Sequence, residues 1–206
     1  MTLFDLLFPP MCPYCGSQTN GVKEACERCM VITDIAPHKR QLSDKTVCYS
    51  AYEYEGVVRR AIIDYKYKKR SQYAKSFALT YQRIIDEAGL RQKYDVYTSV
   101  PTHHHAERGR FDQVKRIAVP TARMEGVPYK QLLTPTRKTV YQHSLSEKMR
   151  RENAKGLYAP ISSQLISGKR ILIFDDVVTT GSTLGECANV LFEAGAEKAD
   201  CITLAW

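Results

Sequence analysis

From Val57 to Tyr65 the apolar residues Val57, Val58, Ala61, Ile62 and Tyr65 recur at helical spacing, which predicts a helix there. A second helix is predicted over Ser71 to Ala88, with Gly89 as its stop. Ahead of both, Cys48 to Glu53 has the composition of a strand. Beyond Gly89 short apolar runs alternate with longer periodic ones. Asp95 to Val100 is a predicted strand ending at Pro101, and Phe111 to Met124 a helix with Gly126 beyond it. Gln131 to Leu133 reads as a short strand and Ile171 to Phe174 as a buried one. Thr183 to Ala194 follows as a helix closed by Gly195, and Ala199 to Leu204 as a final strand. Strands alternating with helices predict an α/β fold, a mainly parallel sheet with helices on both faces.

Residues 1–42 lack this periodicity and read as a separate module ahead of a main domain at 43–206. Met1 to Phe8 is apolar, but Asp5 interrupts it and Pro9-Pro10 end it, which suits a short amphipathic helix packed on the body. It lacks the basic start of a secretion signal, and no apolar run approaches the ~18 residues of a membrane span. The expectation is a cytoplasmic protein, in which clustered cysteines point to metal before disulfides. Cys12-Pro-Tyr-Cys15 and Cys26-Glu-Arg-Cys29 are two C-x-x-C pairs with ten residues between them. Each pair can put two thiolates on one knuckle, and two knuckles complete a tetrahedral Zn²⁺ site. Gly16 allows the tight turn after the first pair. A redox dithiol is the alternative, but a thioredoxin-like pair sits between a strand and a helix, and neither pair does. With Cys in all four positions no open coordination site remains, so the metal is structural. Cys48, Cys187 and Cys201 lie in apolar patterns and read as core residues.

Composition adds one constraint. The chain of 206 residues carries 30 basic against 22 acidic side chains, a formal charge of +8. That excess favours anionic partners, whether nucleic acid, phosphorylated metabolites or an anionic membrane surface.

The most informative stretch is Ile171-Leu-Ile-Phe-Asp175-Asp176-Val177-Val178-Thr179-Thr180-Gly181-Ser182-Thr183. A buried strand delivers two carboxylates at its C-terminal end, and a hydroxyl-rich turn leads into a helix. Backbone N–H groups at the helix start, with the Thr and Ser hydroxyls, make a cradle for a phosphate monoester. Gly181 lets the backbone approach closely. The adjacent acids suit ribose hydroxyls, or a Mg²⁺ carried in with a diphosphate. The bland alternative is a Thr-capped helix after an ordinary strand. The full pattern resembles the signature of type I phosphoribosyltransferases, which bind 5-phosphoribosyl-1-pyrophosphate (PRPP). By that resemblance Asp175 and Asp176 face the ribose, and Thr179 to Thr183 hold the 5′-phosphate.

Further segments narrow the resemblance. Leu7-Phe8-Pro9-Pro10 runs into the first cysteine pair, and Ala61-Ile62-Ile63-Asp64-Tyr65-Lys66-Tyr67 gives a helix ending on a lysine. Ser99-Val100-Pro101-Thr102 closes a strand, and Gln142-x-x-Leu145 with Arg150-x-x-Asn153 precedes Gly156-Leu157-Tyr158. In this order, over nearly the whole chain, they resemble the ComF family. The resemblance implies a zinc finger fused to a type I phosphoribosyltransferase-like domain, with Lys66 reaching the diphosphate. It also implies a role in natural transformation. There the protein would act with a ComFA-type helicase and other competence proteins as single-stranded DNA enters the cytoplasm, recruited to the uptake machinery at the inner face of the membrane. One segment departs from the family's Arg-Gly-Phe-Asn-Gln: here the chain reads Arg108-Gly109-Arg110-Phe111-Asp112-Gln113. Gln113 carries over, Arg110 is an insertion or swap, and the Asp112 carboxylate would weaken diphosphate binding.

Two segments combine cations with aromatics, as single-strand binding surfaces do. Arg59 to Lys75 holds seven basic residues and one acid, interleaved with Tyr65, Tyr67 and Tyr73. Arg137 to Lys155 holds six basic residues and two acids, with Tyr141 and His143 between. Arg59, Arg60, Lys68, Lys69, Arg70 and Arg150 are the candidate nucleic-acid contacts; solvated helix faces with tyrosines turned to the core are the equal alternative. His103-His104-His105 do not share one face of an element and read as an exposed loop. Three functions therefore compete: a DNA-handling competence protein with a retained PRPP loop, an active phosphoribosyltransferase using PRPP and Mg²⁺ on an unknown acceptor, and a ligand-controlled sensor. No catalytic side chain stands out.

Overall fold

The computed structural model describes residues 9–33, 36–68, 70–101, 112–136 and 156–206. Its centre is a five-stranded sheet. The strands are β1 (His38–Ser43), β2 (Thr46–Tyr52), β3 (Val96–Ser99), β6 (Arg170–Phe174) and β7 (Lys198–Ala205), in the order β1-β2-β7-β6-β3. The β2–β7, β7–β6 and β6–β3 pairs are parallel, and only β1 runs antiparallel to its neighbour. The expected mainly parallel sheet is thus present, with an antiparallel edge strand added. A separate antiparallel ladder joins β4 (Leu133–Pro135) to β5 (Tyr158–Pro160).

Alternation along the strands divides the core between two faces. Leu172, Phe174, Ile202 and Leu204 face one side. There they meet α1 (Gly56–Tyr67), α2 (Tyr73–Glu87) and α3 (Gln113–Glu125), through Ile62, Tyr65, Phe77, Tyr81 and Ile117 among others. Ile171, Ile173, Ala199 and Cys201 face the other side, against Leu184, Cys187 and Leu191 of α4 (Ser182–Glu193). Strands buried on both faces explain the near-continuous apolar runs of β6 and β7.

Three sequence expectations shift. The strand expected at Gln131–Leu133 begins only at Leu133 and pairs with β5 outside the main sheet. Gln131 instead donates from Nε2 to the carbonyls of Ser99 and Leu133, and Thr98 Oγ1 accepts from Leu132 N. β1 has no counterpart among the predicted strands. The helix expected from Phe111 starts at Gln113, because Asp112 is its N-cap and accepts from Lys115 N at 2.9 Å.

The cysteine module packs on the α1–α2 side of the body. Cys12, Tyr14, Ala25 and Cys29 belong to the same apolar cluster as Tyr52, Phe77 and Tyr81. Tyr14 Oη donates to Tyr52 Oη at 3.1 Å, and Tyr52 Oη donates to Glu24, whose carboxylate also accepts from Arg83 Nε. β1 spans the expected boundary between residues 42 and 43. Met1 to Phe8, His103 to His105 and Gln142 to Asn153 lie outside the described residues. No helix among the described residues is long and apolar enough to cross a membrane.

Candidate functional site: a four-cysteine cluster and a phosphate loop

The two knuckles bring their thiols together. The Sγ atoms of Cys12, Cys15, Cys26 and Cys29 all lie within 4.8 Å of one another, with Cys15 and Cys26 at 3.5 Å. The first knuckle closes through Gly16 N to Cys12 O at 2.9 Å, with Gly16 at φ +74°, and through Cys12 N to Ser17 O at 2.8 Å. The second turns through Cys29 N to Cys26 O at 2.9 Å, and Cys26 N points at Cys12 Sγ at 3.4 Å. Four thiolates around a tetrahedral ion at ~2.3 Å per bond would sit roughly 3.8 Å apart, so this donor set fits such an ion. Cys48, Cys187 and Cys201 are fully buried in the α4-side core, as their apolar settings predicted.

The strand-to-helix segment that carries the two acids starts where β6 ends. Asp175 N still donates to Ile202 O at 3.0 Å, and Val178 N to Ala205 O at 2.9 Å, so β7 guides the chain until Val178. Leu204 N and Ala205 N both donate to Asp176 O. After Val178 the backbone leaves the sheet and turns through Gly181, at φ +76°, into α4. The side chains of Thr180 and Ser182 are hydrogen-bonded at 2.8 Å, and Thr180 Oγ1 accepts from Ser182 N at 3.4 Å. Gly181 O accepts from Gly185 N at 2.7 Å, the first helical bond. The leading N–H groups of a helix have no intrahelical acceptor and carry the positive end of its dipole, so this turn can hold an anion.

The acids are not equivalent. Asp176 is buried and ion-paired with Lys66 Nζ at 2.8 Å. Asp175 Oδ1 accepts from Asp176 N at 2.9 Å, and its carbonyl accepts from Tyr81 Oη at 2.5 Å. Burial, reinforced by the charge of Asp176, pushes the Asp175 carboxyl up to about 7 against the pull of Lys66 and the Asp176 amide. Burial works to lower the Lys66 ammonium, but the charge and hydrogen bond of Asp176 outweigh it and hold Lys66 raised. Lys66 is therefore charged at neutral pH and stands against the acid pair.

Gln113 supports that lysine. Its Nε2 donates to Lys66 O, and its own carbonyl accepts from Tyr65 Oη at 2.8 Å. The Asp112 carboxylate is engaged at the start of α3 by Lys115 N. Ser99 at the end of β3 is hydrogen-bonded to Tyr129 Oη at 2.7 Å.

One contact had no signal in the sequence. Arg40 on β1 donates from Nη1 to Thr179 O at 2.8 Å, across 139 positions of chain, and Leu42 of the same strand packs on Gly181.

The candidate nucleic-acid residues fall into three groups. Arg59, Arg60, Lys68 and Arg70 are all exposed and differ in their partners, with Arg59 over the Tyr54 ring at 5.8 Å. Arg60 donates to Tyr14 O at 3.0 Å and so ties α1 to the first knuckle, and Lys68 Nζ lies 2.8 Å from Asp64 Oδ1. Lys69 and Arg150 lie outside the described residues. Of the interleaved tyrosines, Tyr65 and Tyr73 are core residues, whereas Tyr67 is 76 % exposed.

The chain is similar to known proteins. Residues 123–205 match the family model of the phosphoribosyl transferase domain. The chain is 31 % identical over 193 residues to the DNA utilization protein YhgH of Salmonella typhimurium, covering 90 % of this chain and 79 % of that one. It is 26 % identical over 198 residues to Competence protein F of Haemophilus influenzae, covering 92 % and 81 %. With its four-cysteine cluster, its acid-bearing strand-to-helix turn at the end of a parallel strand and these relatives, the chain belongs to the ComF family and joins an N-terminal cysteine module to a phosphoribosyltransferase-like domain.

Proposed function

We propose that this protein acts in DNA uptake and use during natural transformation, handling single-stranded DNA in the cytoplasm beside a ComFA-type helicase, with its phosphate loop retained as a PRPP-binding site. The observation that carries the reading is the loop. Asp175, Asp176 and Thr179 to Thr183 keep the strand–acids–turn–helix arrangement within a chain whose relatives are named for DNA utilization and competence. The cysteine cluster holds structural Zn²⁺, and the net charge of +8 supplies the attraction for a polyanion. Mg²⁺ bound with the diphosphate would neutralise charge that Lys66 alone does not match. Arg59, Arg70 and the exposed Tyr67 are the described residues best disposed to meet a single strand.

The test combines genetics with binding. Deleting the gene should reduce transformation, and purified protein should bind single-stranded DNA with an affinity that falls as salt rises. Normal transformation together with no salt-dependent affinity would exclude the reading.

The intact loop also supports a second reading, phosphoribosyl transfer. In it an acceptor nucleophile attacks C1 of the ribose, and the bond from C1 to the diphosphate oxygen breaks. Pyrophosphate leaves with the electron pair. Positioning and charge stabilisation suffice for such a step, so no nucleophilic side chain is required. Acceptor-dependent pyrophosphate release separates the two readings.

A further inference from the structure

The phosphate loop owes its shape to carbonyls tied back by other elements. Tyr81 Oη holds Asp175 O, the β7 amides hold Asp176 O, and Gly185 N holds Gly181 O. Between them, neither the sheet nor the helix engages the carbonyl of Thr179. Arg40 engages it, with Nη1 at 2.8 Å. Arg40 stands on an edge strand that belongs to no phosphate-binding motif, opposite Cys48 in the ladder.

The strand presents one half-buried face to this end of the sheet, formed by His38, Arg40 and Leu42 at alternate positions. The His38 ring lies 5.3 Å from that of Trp206. Leu42 backs Gly181 so closely that a Cβ there would come within 2.7 Å of Leu42 Cδ2. Arg40 sits between these two contacts. Its hydrogen-bond partner is a carbonyl, not an acid.

The consequence follows from peptide geometry. No cis bond occurs in the described chain, so the C=O of Thr179 and the N–H of Thr180 point in opposite directions. With the carbonyl drawn toward β1, the Thr180 N–H is turned away from that strand. We infer that Arg40 is a positioning residue for the phosphate loop: by holding the Thr179 carbonyl it presents the Thr180 amide to a phosphomonoester, the 5′-phosphate end of a phosphoribosyl ligand. This rests on the reading of the loop as a phosphate site and assigns a second element, β1, to that site. Lys66 stands instead against Asp176, so the two cations govern different parts of the ligand.

Calorimetry on the full-length protein tests this with two probes, ribose 5-phosphate and inorganic pyrophosphate with Mg²⁺. The variants are Arg40→Ala, Arg40→Gln and Lys66→Met. Arg40→Ala should weaken ribose 5-phosphate binding about five- to tenfold, the loss of one well-placed hydrogen bond, and leave pyrophosphate unchanged. Arg40→Gln keeps an N–H donor without the charge and should recover most of that loss. Lys66→Met should weaken pyrophosphate and spare ribose 5-phosphate. In a ¹⁵N spectrum of wild type, the Thr180 amide should move on titration with ribose 5-phosphate, and this shift should shrink in Arg40→Ala. Equal ribose 5-phosphate affinity in wild type and Arg40→Ala would overturn the role of Arg40 while leaving the loop a phosphate site. Arg40→Gln behaving like Arg40→Ala would replace positioning by simple charge. If wild type binds neither probe, the phosphate-site reading itself fails and takes this role with it. Thermal melts of each variant separate misfolding from lost affinity.

Discussion

Lys66 in the last turn of α1 and Asp176 just past the end of β6 form an ion pair at 2.8 Å, with both side chains largely buried. A lysine expected to meet a diphosphate thus meets an acid. Any anion that recruits Lys66 must compete with Asp176, and the released carboxylate then needs a partner of its own, either ribose hydroxyls or a cation. Breaking such a pair by removing one member leaves an uncompensated charge, which costs more than the pair itself contributes. Lys66→Met should therefore destabilise the protein by about 2 kcal/mol, reduced from fully buried values because some solvent reaches both groups. Urea denaturation of Lys66→Met and of Lys66→Met/Asp176→Asn checks this. The double variant should regain most of the loss, and a double variant no better than the single one would mean that the stranded charge is not the cause.

The two acids also set a pH dependence. The Asp175 carboxyl is raised from 3.8 to about 7, with burial the largest cause and Asp176 the second. A raised carboxyl means that the folded protein keeps a proton that the unfolded chain has already lost between about pH 4 and pH 7. Stability from this group is therefore full at low pH, declines as pH rises through that window, and is level above about 7. Asp175→Asn, whose Oδ1 can still accept from the Asp176 amide, should flatten this slope and raise the melting temperature at pH 8 by about 2–4 °C or more. The same change should abolish binding of a phosphoribosyl ligand. Identical melting curves against pH for wild type and Asp175→Asn would show that Asp175 ionises normally in the folded state.

Metal loss should be felt far from the cysteines. Cys12, Tyr14 and Cys29 belong to the core that also contains Phe77 and Tyr81, and Arg60 fastens α1 to Tyr14 O. Removing Zn²⁺ with a chelator is expected to lower the melting temperature and loosen α1, the helix whose last turn carries Lys66. Cys12→Ser and Cys29→Ser, at the two buried cysteines of the cluster, should show the same loss together with reduced bound zinc by atomic emission. Tyr14→Phe, which keeps the metal but loses a buried hydrogen bond, should cost only about 1 kcal/mol. A metal-free protein that melts like the holoprotein would make the cluster an appendage.

The parts of this fold that could be read in advance are those buried on a regular period. β6 and β7 are apolar on both faces, and α1, α2 and α4 carry their core residues at helical spacing, so their positions follow from the pattern alone. The same helical spacing already argued for a buried Tyr65, and both Tyr65 and Tyr73 are in the core. β1 was silent because its sequence, His-Lys-Arg-Gln-Leu-Ser, offers one apolar residue to an alternating face. Edge strands are commonly charged, which protects an open edge and erases the strand signal. The loop was legible as a motif, whereas its contact with Arg40 was not, because nothing local in the chain relates residues 40 and 179. Asp200 was equally opaque: it is 2 % exposed and accepts from Val47 N and Tyr94 Oη, a buried polar tie that no periodicity announces.

Among the basic residues of α1 and its following turn, structure separates two kinds of effect. Arg59 and Arg70 are exposed, and replacing either by Ala should weaken single-stranded DNA binding and reduce the slope of log affinity against log salt by about 0.7, the value for one lost phosphate contact. Arg60→Ala should instead act through stability, because its guanidinium is committed to Tyr14 O. Fluorescence anisotropy over a salt series, run beside melting curves, distinguishes them. An Arg60→Ala protein of unchanged stability but flattened salt slope would move Arg60 into the DNA-contact group.

Gly181 is subject to two constraints that a pair of substitutions can separate. Its φ of +76° is a left-handed conformation that costs an L-residue about 1–2 kcal/mol, and an added Cβ would also meet Leu42 Cδ2 at 2.7 Å. The second constraint is soft, since the contacted atom is the tip of a half-buried leucine that can turn aside. The first is fixed by Val178 N on Ala205 O before the turn and Gly185 N on Gly181 O after it. Gly181→Ala should therefore lose about 1–2 kcal/mol and most phosphate affinity, because relaxing φ would swing the loop amides off the anion. Leu42→Ala introduced into that variant should restore neither, with a coupling energy in the double-mutant cycle below about 0.5 kcal/mol. Recovery of binding in Leu42→Ala/Gly181→Ala would reverse the assignment and make the β1 wall, rather than the backbone conformation, the reason that glycine stands at this turn.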